Sequence, residues 1–278
     1  MLRIVDARTG HLVEIPSVRR HLLSICVHLP AGDARIGMTD LRLLLVGDVL
    51  ARTAELHGLQ SRMFLTTPDL PQEQSEALGR AMSALGVHPP ADAGVHPPNG
   101  TLCAAADVHV RAYDPAAPNE VGGVRIDVGR VGLTSRERDV PDRARPHVLA
   151  SGLLDAVAPE GTDPLAVRLL MLGHAHRTPV TFTGTALDEA RRTLGDWREL
   201  VADWAQEPSR PVPADVLRHA HDVLAEDLGV PAVLDGLVTV ATRPDVPAGA
   251  KFETFAFLDR VLGLDLAREV GHQHRPAT

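Results

Sequence analysis

Apolar positions along this chain change their period twice. Residues 2–17 alternate over two short stretches parted by Thr9-Gly10, which predicts two short strands. Leu22 to Leu29 is an apolar run that stops at Pro30. A turn of small residues follows, and an apolar-periodic segment begins near Thr39-Asp40. That order reads as strand, turn and helix, with the helix over about 40–57 and Gly58 as its C′ residue. Residues 61–67 are β-rich and predict the next strand, so the pairing expected is parallel through a crossover. Residues 72–86 form an amphipathic helix that ends at Gly86.

Residues 87–100 contain VHPP twice, which predicts a stiff, exposed loop whose His88 and His96 are weak ligand candidates. Residues 107–113 and 121–133 each predict a strand, and 134–147 is a charged loop broken by prolines. From Asp163 onward the period is helical, with four helices and a fifth over 231–242. Asp163 suits an N-cap and Pro164 the first helical position. Leu187, Ala190, Leu194, Trp197, Val201 and Trp204 recur at 3–4 spacing, which is a core stripe rather than a cofactor face. The expectation is an α/β domain over 1–150, a helical bundle over 151–266 and a tail over 267–278 whose His272 and His274 are weak metal candidates. The boundary is expected near 148–162.

In open α/β sheets, ligands sit beyond the carboxyl ends of the strands and beside helix N-termini. Residues 22–48 should therefore form the mouth of a small-molecule pocket, with Gly37 where the backbone must come close to something. His28 follows Cys26 by two residues, so on a strand both project from one face, and a Cys26 nucleophile would find a base in His28 or His109.

Composition narrows the chemistry. The 278 residues are 44% hydrophobic, and no apolar run is long enough to cross a bilayer, so a cytoplasmic chain without a membrane partner is expected. A net charge of −8 argues against broad nucleic-acid binding. The two cysteines, Cys26 and Cys103, lie far apart, and two buried thiols are expected rather than a disulfide. Lys251 is the sole lysine, so no mechanism can use a lysine upstream of it.

Several stretches carry a family likeness. Asp163-Pro164-Leu165-Ala166-Val167-Arg168, Gly173-His174-Ala175-His176-Arg177-Thr178-Pro179 and Ala186-Leu187-Asp188-Glu189-Ala190 resemble the helical region of cysteinyl-tRNA synthetases. They equally resemble that family's relative, the mycothiol-biosynthesis ligase that joins cysteine to an amino sugar. The opening 1–15, Asp48-Val49-Leu50-Ala51-Arg52, Thr67-Pro68-Asp69-Leu70 and Glu226-Asp227-Leu228-Gly229-Val230-Pro231 extend the match. Cys26 stands as far before Ile36-Gly37 as the family's pocket cysteine stands before its HIGH signature. The resemblance covers most of 1–86 and 124–265. It implies a class I synthetase-like fold: a Rossmann-type parallel sheet of the HUP kind followed by a C-terminal helical bundle. It also implies ATP-dependent activation of cysteine, with a zinc ion gripping the thiolate.

The chain departs from that pattern where chemistry is done. The HIGH signature reads Arg35-Ile36-Gly37-Met38, and Met38 cannot donate a hydrogen bond. The KMSKS lysines, expected within 134–141, have no counterpart, although Arg136 and Arg138 stand there. Asp107-Val108-His109 and Asp114 keep the spacing of the family's DIHGGGSD stretch, but Val110-Arg111-Ala112 replace its glycines. For zinc, the resemblance leaves Cys26, Cys103 and His109, with His28 or Glu120 to complete a rebuilt set. Most of the family's insertion and its anticodon-recognition region have no counterpart.

The expected function is therefore a truncated, degenerate paralogue, a pseudoenzyme that binds a small amino-acid-like ligand, a tRNA acceptor end or a protein partner. It would need no cofactor; the changed signatures count against ATP, and zinc stays open. The alternative is a non-canonical ligase or aminoacyl transferase using cysteine, an aminoacyl-tRNA or an amino-sugar-like acceptor. Its candidate ligand-binding residues are Arg35, Gly37, Asp40, His109 and Arg111, beside Cys26 and His28.

Overall fold

The structure, a computed structural model, describes residues 1–15, 21–29, 36–67, 69–91, 103, 105–115, 122–133 and 161–271. Strands β1 (Arg3–Val5) and β2 (Leu12–Glu14) pair antiparallel. Strand β3 (Leu22–His28), helix α1 (Met38–Leu56) and strand β4 (Gln60–Thr66) form a βαβ unit with parallel pairing. Helix α2 (Gln72–Ala84) follows. Strands β5 (Val108–Ala112) and β6 (Val124–Val128) complete a four-stranded parallel sheet of order β4-β3-β5-β6. Strand β7 (Val131–Leu133) leaves that sheet and pairs with β8 (Val180–Phe182). Helices α3 (Pro164–Leu172), α4 (Gly184–Trp204), α5 (Ala214–Ala225), α6 (Val230–Thr242) and α7 (Ala248–Leu262) follow. The protein is an α/β fold with a Rossmann-like parallel sheet and helices.

Alternation along the strands gives the sheet two unlike faces. Leu23, Ile25, Val27, Met63, Leu65, Val108, Val110, Val124, Ile126 and Val128 all enter the main core on one face. The other face carries Cys26, His28, Phe64, Thr66, His109, Arg111, Arg125 and Asp127 at the intervening positions. The apolar side is covered by α1, which also meets α2, α7 and β7. A helix enclosed on all sides has no use for a polar stripe, which is why 41–51 reads as apolar with little periodicity. Gly47 allows the close approach: a Cβ there would lie 2.6 Å from Val27 Cγ2 and 3.0 Å from Met63 Sδ.

Enclosure makes the charges of α1 expensive unless they find partners. Asp48 is fully buried. Its Oδ2 accepts from Arg52 Nε and from a terminal nitrogen of Arg168, each at 2.8 Å, and its Oδ1 accepts from the backbone N–H of His88 at 3.0 Å. Burial pushes the Asp48 carboxyl up, but the hydrogen bonds from His88 and the charges of Arg168 and Arg52 bring it well below the usual carboxylate range. Arg168, also fully buried, donates to the carbonyls of Leu85 at 2.9 Å, Gly86 at 3.2 Å and Leu262. One guanidinium thus ties α1 to the ends of α2 and α7, where helix carbonyls lack intrahelical partners. Arg42 does the same at the other end of α1, donating to the carbonyls of Gly129 at 2.9 Å, Thr178 at 2.6 Å and Ala175 at 2.9 Å.

Two sequence expectations change. The strand expected over 121–133 is two strands, because the chain turns at Gly129, where a Cβ would lie 2.5 Å from the Thr178 backbone. Strand β8 was not anticipated, since three residues carry too little periodicity to signal it. Gly37 is extended, with φ −125°, and a Cβ there would meet Asp40 Oδ2 at 3.6 Å. His88 stays exposed, as expected, with its Nδ1 3.0 Å from Asp48 Oδ1. The charged loop at 134–147, the domain boundary near 148–162, and His96, His272 and His274 lie outside the described residues.

Arg168→Met removes the charge facing a buried carboxylate and strips three carbonyls of a donor, so it should cost about 3–5 kcal/mol. Arg52→Met, at the partly exposed end of the network, should cost clearly less. Urea unfolding midpoints of the two variants check the order, and equal losses would count against Arg168 as the central tie.

Candidate functional site

The polar face of the sheet brings its reactive groups together from the carboxyl ends of β3 and β4 and from β5. Register sets their neighbours: Cys26 lies opposite Phe64 and His109, and His28 lies opposite Thr66. Cys103, just before β5, is bonded to Cys26 as a disulfide that closes a separation of 77 residues. The two sulfurs sit with Phe64 and Ala106 in a small buried cluster of their own. Thr66 Oγ1 is 3.2 Å from each sulfur. The expectation of two free thiols is thereby corrected: neighbouring strands bring together two positions whose distance in sequence concealed their contact.

Next to the disulfide, His28 Nε2 and His109 Nδ1 share a hydrogen bond at 2.9 Å, with the rings stacked at a 28° interplanar angle. His109 is fully buried, and its Nε2 has no hydrogen-bond partner among the described residues. Burial lowers His28 to about 3, helped by the charge of Arg111 and by His109. Burial lowers His109 to about 4, again with Arg111 adding to the effect. Both rings are neutral at pH 7, one donating and the other accepting. Arg111 projects from the same face as His109, and its Nε is buried without a hydrogen-bond partner among the described residues. Beside it on β6, Arg125 and Asp127 pair at 2.6 Å.

Asp40 stands apart from this group. Its Oδ2 accepts the Gly37 N–H at 2.7 Å, a capping contact at the N-terminus of α1, while its Oδ1 is buried without a partner. Burial holds its carboxyl above the ordinary value. Gly37 and Asp40 thus shape the helix start. Arg35, Glu120, Arg136 and Arg138 lie outside the described residues. Sequence reasoning placed Cys26, His28, His109 and Arg111 but missed Thr66 and Phe64. The alternation of β4 on the register of β3 was the signal that could have found them.

The metal set read from the sequence, Cys26, Cys103 and His109, does not stand as read. Donor atoms of Cys26, His28 and His109 do lie within 4.8 Å of one another. Yet both sulfurs are bonded to each other, and a disulfide offers no thiolate ligand. His28 and His109 direct one nitrogen each at the other. In this state the residues do not fit a zinc ion, and no chemistry is assigned to one.

A parallel sheet with reactive groups on one face, followed by helices, defines an α/β protein with a Rossmann-like sheet. No protein-family model matches the chain. Among curated proteins it is similar to the L-cysteine:1D-myo-inositol 2-amino-2-deoxy-alpha-D-glucopyranoside ligase of Streptomyces avermitilis, 37% identical over 111 residues, which cover 38% of this chain and 26% of that enzyme. The enzyme of the same name from Xylanimonas cellulosilytica is 33% identical over 147 residues, covering 52% of this chain and 34% of the relative. That of Mycobacterium tuberculosis is 35% identical over 118 residues, covering 41% and 28%. The match spans about a quarter to a third of the length of these relatives. Over that part, the chain is similar to these cysteine ligases.

The histidine pair predicts an acid-sensitive fold. In the unfolded chain a histidine titrates near about 6.5, whereas His28 and His109 in the fold titrate at about 3 and about 4. Below the unfolded value the unfolded state binds more protons, so stability falls as pH drops from there toward the folded values. The slope should approach about 1.4 kcal/mol per pH unit for each histidine. His176, lowered to about 4 chiefly by its own burial, adds to the wild-type slope. Urea midpoints between neutral and mildly acid pH should therefore flatten, without becoming level, in a His28→Asn/His109→Asn double variant. An unchanged slope would show that the pair is not the source.

Proposed function

We propose that the chain is a ligase-like enzyme that joins a small amino-acid-like acyl group to an amine acceptor, and that it receives the acyl group already activated. The observation that carries this reading is Arg111. A guanidinium whose buried Nε has no partner among the described residues lies on the same sheet face as a neutral histidine pair, near the strand ends where such folds take ligands. A carboxylate or phosphate oxygen would meet that donor. A neutral imidazole would accept a hydrogen bond from the attacking amine. In the transfer, the amine nitrogen bonds to the carbonyl carbon, the ester oxygen leaves, and the proton lost by the amine ends on the departing alcohol.

The names of the relatives support an amide-forming reaction between cysteine and an amino sugar. An aminoacyl-tRNA would supply an activated ester without any ATP signature, in keeping with Met38 at the start of α1 and with Lys251 as the sole lysine. Cys26 has no nucleophilic part while its sulfur is bonded to Cys103. A second reading, binding without catalysis, draws on those same two sequence features.

The test incubates the purified chain with an amino-sugar acceptor and either cysteinyl-tRNA or free cysteine with ATP, and looks for the amide by mass spectrometry. Amide from the charged tRNA alone is the outcome expected. Amide formed from cysteine and ATP would overturn the requirement for a pre-activated donor. Tight cysteine binding with no amide from either donor would favour the second reading. Arg111→Ala should weaken binding of the phosphate-bearing acyl donor, cysteinyl-tRNA, about tenfold or more, as the loss of a charged hydrogen bond implies. Calorimetry reads that change.

A further inference from the structure

The Cys26–Cys103 bond stands where the family likeness would place thiolates. We propose that these two residues form a reversible dithiol–disulfide couple that exchanges with a low-molecular-weight disulfide, with Cys103 as the residue that carries the small thiol in the mixed disulfide. This inference does not rest on what the pocket joins.

Four observations point the same way. The chain has two cysteines in all, so the pair has no competing partner within the protein. Their cluster with Phe64 and Ala106 is separate from the main core, so the bond can open without exposing the residues that hold the fold. Thr66 Oγ1 is equidistant from both sulfurs at 3.2 Å, and a hydroxyl can donate to a disulfide sulfur or accept from a thiol. The sulfur-bearing residues also differ in access, because Cys26 is fully buried on a central strand whereas Cys103 retains 8% of its surface.

That difference orders the exchange. On oxidation the Cys103 sulfur attacks one sulfur of the small disulfide; a protein–small-thiol bond forms, the small S–S bond breaks, and one small thiol leaves. The Cys26 sulfur then attacks Cys103, forming the Cys26–Cys103 bond and releasing the second small thiol. Overall the protein loses two electrons and two protons, and the small disulfide gains both. Reduction reverses the order, with an incoming small thiol attacking the Cys103 sulfur. When closed, the bond fastens the segment before β5 to β3, beside His28 and His109. When open, it frees both sulfurs on the polar face.

The folded full chain is equilibrated with buffers of graded reduced-to-oxidised glutathione ratio, quenched by acid and alkylated. Each cysteine is then scored by peptide mass spectrometry. The expected result is that both cysteines lose alkylation together, at a ratio set by the buffer, with the linked Cys26–Cys103 peptide appearing in proportion. Cys26→Ser should stop the exchange halfway and leave glutathione on Cys103. If that variant does not fold, the wild-type titration alone decides the couple. Cysteines that both alkylate at every ratio would overturn the proposal, as would a bond that yields to excess glutathione only when the chain is unfolded. A single glutathione on wild-type Cys26 would overturn the assigned order. No ligand enters this measurement, so failure of the ligase reading leaves its outcome untouched.

Discussion

Asp48 is a carboxylate in the middle of a helix with no water around it, and the contacts that keep it ionised organise much of the molecule. Two arginines and a backbone N–H converge on it. Arg168, brought in from α3, fills its remaining donors with carbonyls at the ends of α2 and α7. A buried ion pair of this sort adds little net stability over an apolar substitute, but losing one partner leaves a charge stranded. Its larger effect is on geometry. Apolar packing alone would tolerate several ways of laying the helices on α1, whereas a guanidinium with fixed donor directions accepts one. Arg42 repeats the device at the N-terminal half of α1, against 129 and 175–178.

Several of the residues that carry the family likeness turn out to belong to this framework. Asp48, Arg52 and Arg168 form the central tie. Asp163 caps α3 by accepting from Leu165 N–H and pairs with Arg198. Asp227 accepts from Val5 N–H and pairs with Arg177, joining β1 to the segment before α6. Similarity at these positions transmits a fold, because changing any of them strands a buried polar group. It says less about the reaction, which depends on the opposite face of the sheet.

That opposite face has its own logic. Strand alternation sends apolar residues toward α1 and leaves cysteine, histidine, threonine and arginine on the other side. Burial keeps His28 and His109 neutral, and the nearby Arg111 charge reinforces this. The face therefore combines neutral imidazoles, a sulfur pair and two guanidinium groups, of which Arg125 is paired with Asp127.

The sequence by itself determined the βαβ start, the helical second half, the Asp163 and Pro164 helix entry, and the common face of Cys26 and His28. Local periodicity and two-residue spacing carry that information, and neither depends on distant partners; His109 and Arg111 joined the group only through the resemblance. Tertiary structure alone decided that Cys103 bonds to Cys26, that His28 meets His109 ring to ring, that Thr66 bridges the two sulfurs, and that Gly129 splits one expected strand into two. Each of those depends on which strands lie side by side. The strand order is β4-β3-β5-β6, and the chain spells out no such adjacency in its own order.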